Sequence, residues 1–435
     1  QTMAQRSVRS EILALSIPAI ASNITTPLLG LADVAVVGHI GSAVYIGAIA
    51  LGGAVMNMLY WVFSFLRLGS SGMAAQAYGA GDSRQLSDVF YRGLAVSAAL
   101  SVVVLALHGV AGDAVIGFMD AEESAAGLAG LYVSICVWGA PAVLGTYVLS
   151  GWLLGMQNSR GPMWMALVTN IVNISCSLVF VFGFGMDIGG VATGTVVAQW
   201  TGFAVGLWIV ARRYGVGRAD WRRVMRGDGI RRFFTVNLDI FLRTVCLVAV
   251  TIWFTHAGAV QGNLVLAANA LLMQFFMFFS YFTDGFAFAG EALSGKYLGA
   301  CDRLGLKRTV RGLFVAGTVM SLVFTVIYFL AGDIVMGLLT DEADVVSAAK
   351  VYFPWVLTIP LLGFAAFTWD GIFGGMTMTR GMLVSMAVAT GVFFACYSWL
   401  TPIYGNHGLW CSFVAYLSVR GIVQTAYYWF KREKY

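Results

Sequence analysis

The chain repeats itself end to end at an offset of 220 residues. Ala111-Gly112-Asp113-Ala114-Val115-Ile116-Gly117 returns as Ala331-Gly332-Asp333-Ile334-Val335-Met336-Gly337. Gly151-x-x-x-Gly155-Met156-x-x-Ser159-Arg160-Gly161 returns as Gly371-x-x-x-Gly375-Met376-x-x-Thr379-Arg380-Gly381. The loop Gly79-Ala80-Gly81-Asp82 keeps the same register with Gly299-Ala300-Cys301-Asp302. Whatever this chain folds into is one unit built twice.

The unit is made for a membrane. Hydrophobic residues make up 59% of the 435 and charged residues 11%, and the mean hydropathy is +0.81, so too little polar surface exists to cover a water-soluble domain. Stretches long enough to cross a bilayer fall at 11–38, 44–78, 88–110, 124–156, 161–185 and 188–212, then at 232–257, 263–298, 309–331, 345–376, 381–403 and 407–430. The expected fold is all-α, with twelve transmembrane helices in two six-helix bundles: an N-terminal lobe 1–212, a basic linker 213–230 and a C-terminal lobe 231–435. Six spans per copy make the copies parallel repeats, an arrangement found in transporters, with the working site expected where the copies face each other. The Gly-x-x-x-Gly pairs at 151/155 and 371/375 read as helix-packing faces. The glycines of the linker (215, 217, 227 and 229) suggest a flexible crossing.

Basic residues set the expected orientation. Of 26 Lys and Arg, 22 lie at the termini or in the connections from even to odd spans, and the opposite connections carry Asp113, Asp120, Glu122, Glu123, Asp341, Glu342 and Asp344. Both termini are therefore expected in the cytoplasm of a bacterium, with the protein in its inner membrane. The net charge of +5 follows from this topology and implies membrane lipid, not nucleic acid, as the surroundings. Span 1 is long enough to serve as its own insertion signal, so a short cleavable signal before it is not expected. Six Cys in spans or on the inner side suggest no disulfide framework, and four scattered His lack metal-ligand spacing, so neither a metal nor another cofactor is expected.

Among the charges inside the spans, eight stand out: Asp33, Arg67, Asp239, Arg243, Asp284, Glu291, Asp370 and Arg420. Each costs about 2.5 kcal/mol or more at a helix centre unless it meets a partner or a wet cavity, which makes each a functional candidate. Asn23, Thr26, Gly30 and Asp33 form one polar or small stripe on span 1. Asn170, Asn173 and Ser177 share a face of span 5, and Thr195 and Gln199 a face of span 6. One carboxylate, Asp33, ringed by Asn173, Ser177 and Thr195, would have its pKa raised by desolvation and could carry a proton, and the same oxygens could instead hold a monovalent cation. A purely structural tie, or a pair between Asp33 and Arg67, stays open. Pro18 and Pro27 each remove an intrahelical hydrogen bond and mark span 1 as a kink that Asp33 could switch.

In the second copy, Asp239 and Arg243 are i and i+4 and are expected to neutralise each other. Asp284 and Glu291 share a face of span 8, and Asp370 lies on span 10. These residues read either as a self-satisfied network of spans 7, 8 and 10 or as a second proton or cation site. The aromatic run Phe275, Phe276, Phe278, Phe279, Tyr281 and Phe282 reads as lipid-facing bulk, or, with the charges, as a cavity for varied apolar cations.

Ile17-Pro18-Ala19-Ile20, Ser22-Asn23-Ile24-Thr25, Pro27-Leu28-Leu29-Gly30-Leu31-Ala32-Asp33 and Gly38-His39 resemble the first span of the DinF (DNA-damage-inducible F) branch of multidrug and toxic compound extrusion (MATE) transporters. Gly72-Met73-Ala74-Ala75-Gln76-Ala77-Tyr78-Gly79-Ala80, Asp284-Gly285-Phe286-Ala287-Phe288-Ala289-Gly290-Glu291 and Gly405-Asn406-His407-Gly408-Leu409-Trp410 also match that branch, so the resemblance covers nearly the whole chain. It implies a monomer that exports small amphipathic or cationic compounds by cation-coupled antiport and alternating access. It also implies a coupling site at Asp33, Asn173, position 177 and Thr195. Many relatives carry Asp where this chain has Ser177, and one carboxylate instead of two favours a proton over sodium. A lipid-linked precursor flippase and a major facilitator transporter are the alternatives. A membrane enzyme is remote, because no nucleophile with its base, metal set or phosphate-cradling loop is present.

Overall fold

In the computed structural model the described residues are 7–38, 43–118, 123–217, 219–225 and 227–431; the side chains of 26–38, 43, 44, 46, 110–118, 123–125 and 228 lie outside the description. The chain divides into two compact units, Ala21–Phe234 and a second that joins Thr235 onward to the start of the chain up to Ile20.

The first unit holds α1 (Val8–Gly38) from Ala21 on, α2 (Ala43–Val62), α3 (Phe65–Gly79), α4 (Ser83–Phe118), α5 (Glu123–Cys136), α6 (Ala140–Gly155), α7 (Arg160–Leu178), α8 (Asp187–Arg213) and the single turn α9 (Trp221–Val224). A break at Phe63 and Ser64 separates α2 from α3, the 3-10 turn Val137–Gly139 joins α5 to α6, and a π turn, Val179–Gly183, ends α7. Each of these pairs is one interrupted rod. The second unit holds α10 (Asp228–Val260) from Thr235 on, α11 (Asn263–Gly299), α12 (Arg303–Leu339), α13 (Ala343–Gly375), α14 (Thr379–Tyr404) and α15 (Asn406–Lys431). Among the described residues ten rods are long and apolar enough to cross a membrane, and α1 and α15 complete the twelve.

The duplication survives as duplicated contacts. A Cβ on Gly151 would collide with the carbonyl of Arg67, and one on Gly371 with that of Ala287, each pair displaced by 220 residues. Gly155 meets the Ser71 carbonyl and Ala74, and Gly375 meets the Glu291 carbonyl and Ser294, again at the same offset. The Gly-x-x-x-Gly pairs thus let α6 close on α3 and α13 on α11, backbone against backbone. The turns agree as well. Gln157 (φ 62°) and Thr377 (φ 53°) take the same left-handed conformation, and Asp82 and Asp302 each cap the next helix, accepting from Gln85 N at 2.9 Å and Gly305 N at 2.8 Å. That cap starts α12 at Arg303, six residues before the apolar stretch begins, because a capped helix needs no apolar residues where it stands in water.

The aromatic run of α11 is neither lipid-facing bulk nor a cavity wall for the most part. Phe275 and Phe279 are buried against Tyr328, Phe324 and Phe367, and Phe276 packs on Phe413, so these three belong to the core of the second unit, while Phe278 is 48% exposed. The central connection is not a free crossing either. It lies on α4: Tyr91 donates to the Gly217 carbonyl at 3.0 Å, Arg92 Nε to the Val224 carbonyl at 2.9 Å, and Arg223 pairs with Asp88 at 2.7 Å. The start of α1 is held within the second unit, where Glu11 takes Lys296 Nζ at 2.9 Å and the Tyr297 hydroxyl at 2.8 Å. Gly285 makes room for Ile20.

Candidate functional site

In the first unit, α7 and α8 approach closely because Gly194 has no side chain: a Cβ there would lie 2.8 Å from Ser177 Oγ. That contact buries Asn173 and Ser177 completely and leaves Thr195 8% exposed. Asn173 Nδ2 donates to Thr195 Oγ1 at 2.9 Å, and Thr195 Oγ1 donates in turn to the Val191 carbonyl at 3.0 Å. One turn before Asn173, Asn170 Nδ2 donates to the Thr25 carbonyl at 3.0 Å and fixes α7 against α1. Asn173 Oδ1 and Ser177 Oγ are buried without a partner among the described residues. A buried polar atom left this way costs about 1–3 kcal/mol. Three of the four residues expected at this site are therefore together. The fourth, Asp33, lies on α1 outside the described side chains, as do Pro27 and Thr26; Pro18 is half-buried in the same helix.

The second unit contains a different cluster. Asp370 on α13 is clasped by Arg243 of α10 and Arg420 of α15, and Gln424 Nε2 donates to its other oxygen at 2.7 Å. Arg420 is 3% exposed at its side chain and stands 5.4 Å from the Phe367 ring centre, a cation–π contact. The i, i+4 pair expected on α10 does not form: Arg243 turns to Asp370, and Asp239 accepts from Thr379 Oγ1 at 3.1 Å and Arg380 at 3.4 Å. Helical spacing allows an i, i+4 pair, but Asp239 is engaged by Thr379 and Arg380, and Arg243 finds its carboxylate on a neighbouring helix. The network thus joins spans 7, 10 and 12 and not 7, 8 and 10. Asp284 of α11 accepts from Ser280 of its own helix at 3.3 Å, and Glu291 is buried with its carbonyl under Gly375.

Gln424 was not legible as a partner, although Arg420 and Gln424 are i and i+4 on an apolar span and mark one polar face. A second buried polar tie is also new. Asn269 and Asn406 exchange two hydrogen bonds of 2.8 Å each, and Trp410 Nε1 donates to Asn269 at 2.9 Å, binding α11 to α15. These residues are satisfied by one another and hold the unit together.

The two clusters are not copies. Asn173, Ser177 and Thr195 fall opposite Phe393, Tyr397 and Ala415, and Asp370, Arg243, Arg420 and Gln424 fall opposite Ser150, Asn23, Trp200 and Ala204.

The MatE family model matches the chain twice, at residues 18–179 and 237–400, once in each copy. DNA damage-inducible protein F of Escherichia coli (strain K12) is 35% identical over 411 residues, which are 94% of this chain and 89% of that protein. A MOP superfamily transporter from Pyrococcus furiosus superposes with a TM-score of 0.87 over 98% of both chains at 19% identity. A multidrug resistance MATE family transporter in an outward-facing conformation superposes with 0.86 over 98% of both chains at 18% identity. The last two share the twelve-helix fold. Two matches in register with the repeat, and the identity over nearly the whole chain, identify it as a member of the MatE family of multidrug and toxic compound extrusion transporters, in the branch of DNA damage-inducible protein F.

Proposed function

We propose that the chain exports small amphipathic or cationic compounds across a bacterial inner membrane by proton-coupled antiport, with both termini in the cytoplasm. The observation that carries this reading is the buried group of Asn173, Ser177 and Thr195, with two oxygens unpartnered among the described residues and α7 held to α1 through Asn170. A carboxylate entering such a site from Asp33 is desolvated, which favours its neutral form and suits it to take and give up a proton. In the neutral form Asp33 no longer draws polar neighbours toward α1, and the helix can change its bend at Pro18 and Pro27. The bend alternates access, and substrate and proton exchange places on the two sides. Ser177 leaves a single carboxylate at the site, which favours a proton; a monovalent cation such as sodium is the competing ion.

The test is efflux of a fluorescent lipophilic cation from everted vesicles, with a pH gradient or a sodium gradient imposed separately, in wild type and Asp33→Asn. Export driven by the pH gradient alone and lost in Asp33→Asn, with the protein still folded, supports the reading. Export driven by sodium alone, or unchanged in the variant, removes it. A second reading rests on the cluster around Asp370: two guanidiniums to one carboxylate give a net positive charge, the sign a flippase of lipid-linked pyrophosphates would use. Uptake of such a lipid into vesicles, without any drug efflux, would favour that reading.

A further inference from the structure

Where α12 starts and α15 ends, the second unit opens into a groove of about 660 Å³. One wall is basic: Arg303, Lys307 and Arg311 stand one turn apart along α12, all exposed, with no ion pair among the described residues. The opposite wall is aromatic and preformed. Trp369 is buried, donates to Thr425 Oγ1 at 2.7 Å, and lies against Tyr428 and Phe314 at ring separations of 4.6 and 4.9 Å; Trp429 stands exposed at the rim.

The duplication shows what this groove is for. At the same offset the first unit has Ser83, Ser87 and Tyr91 in place of the three cations. There the chain fills the groove itself: Tyr214 packs on Trp152 at 5.4 Å, Gly217 passes over Ser87, and Trp221 meets Tyr91 at 6.1 Å. Among the described residues the second unit leaves the equivalent surface uncovered and lines it with positive charge. An occupant that matches this surface carries negative charge.

We propose that the groove binds the headgroup of an anionic phospholipid, with its phosphate on Arg303, Lys307 and Arg311 and its glycerol and upper acyl carbons on the aromatic wall. Basic side chains between helices at one end of a membrane bundle recognise phosphate, and Trp and Tyr are the residues that stand at headgroup level. The flanking face of α12, with Val315, Val319 and Leu322 exposed, continues the groove as an apolar track for the acyl chains. The proposal rests on the membrane fold and is independent of the coupling ion and the exported compound.

Native mass spectrometry of the purified full chain, titrated with phosphatidylglycerol or phosphatidylcholine, tests it. Wild type is expected to take the first phosphatidylglycerol at least about tenfold more tightly than phosphatidylcholine. Arg303→Gln/Lys307→Gln/Arg311→Gln should erase that preference, and the charge-matched variant Arg212→Gln/Arg213→Gln/Arg222→Gln should keep it. Lys307→Glu alone, at one exposed position, should reduce the preference without disturbing the fold. Equal binding of the two lipids in wild type, or a preference that survives the groove variants, overturns the proposal. Displacement of the bound lipid by inorganic phosphate at matched phosphate concentration overturns the assignment to lipid and makes the groove a site for free anions.

Discussion

Asn173 and Thr195 are joined by a 2.9 Å hydrogen bond in which the amide donates and the hydroxyl accepts. Thr195 gives its own proton to the Val191 carbonyl, so the acceptor side of its oxygen is what it offers Asn173. Thr195→Val keeps the volume and removes that acceptor, leaving a buried amide unpaired. The expected loss is about 1–3 kcal/mol of unfolding free energy in detergent. A double-mutant cycle with Asn173→Ala should show strong coupling, and additive effects would mean that the bond contributes nothing.

Asp370→Asn removes the only carboxylate between Arg243 and Arg420 in their cluster and leaves two poorly exposed guanidiniums facing each other. Breaking a buried ion pair from one side costs about 3–5 kcal/mol. Combining it with Arg420→Gln should recover part of the loss, since the surplus positive charge goes with it. A thermal unfolding midpoint for Asp370→Asn equal to that of wild type would rule the cluster out as a structural tie.

Gly155→Ala and Gly375→Ala should destabilise alike, because in both the new methyl meets a carbonyl of the facing helix, which cannot step aside as a flexible side chain would. About 1–3 kcal/mol is expected for each. Gly53→Ala, with open space around it, should cost nothing and gain slightly in helix propensity. If all three behave alike, the close approach of α6 to α3 and of α13 to α11 does not depend on these glycines.

Glu11→Gln exchanges a charged acceptor of Lys296 and Tyr297 for a neutral one. Both side chains of the ion pair are about a fifth exposed, so the global effect is small, on the order of 1 kcal/mol. The local effect is the informative one: amide hydrogen exchange over residues 8–20 should quicken while α3 and α6 keep their protection. Unchanged exchange there would show that Ile12 and Ile20, packed on Gly312 and Gly285, are enough to hold the start of α1.

What could be read from the sequence was whatever depends on periodicity. Apolar length gave the twelve rods, and the offset of 220 placed Gly155 and Gly375 at contacts now seen to correspond. Side-chain partners across helices were not legible in the same way. Asp239 and Arg243 are one turn apart and a pair by spacing, yet each chose a residue more than a hundred positions away, because rotation of α10 about its axis is set by packing that no local pattern records. Asn173, Ser177 and Thr195 were found because two polar faces on consecutive spans have few places to go in a membrane. Arg420 and Gln424 carried the same kind of signal on α15 but lacked a nearby partner to give it meaning. The connection at 213–230 is tied to α4 by Tyr91, Arg92 and Asp88, ties that its glycines do not announce: Gly229 passes close to Arg92, while Gly215 and Gly227 turn with positive φ in open space.

Glu11 reaches its partners 285 and 286 residues later in the chain. A ribosome delivers α1 to the membrane long before it has made Lys296 and Tyr297, so residues 8–20 find these neighbours only after α11 has followed. The beginning of the chain is thus among the last parts to be finished, and the intervening helices assemble beside a rod whose final position is still unsettled. Contacts of such separation slow folding. Chains arrested during synthesis before Lys296 should leave residues 8–20 open to protease, and chains arrested after α12 should protect them; protection at both lengths would show that α1 docks elsewhere first.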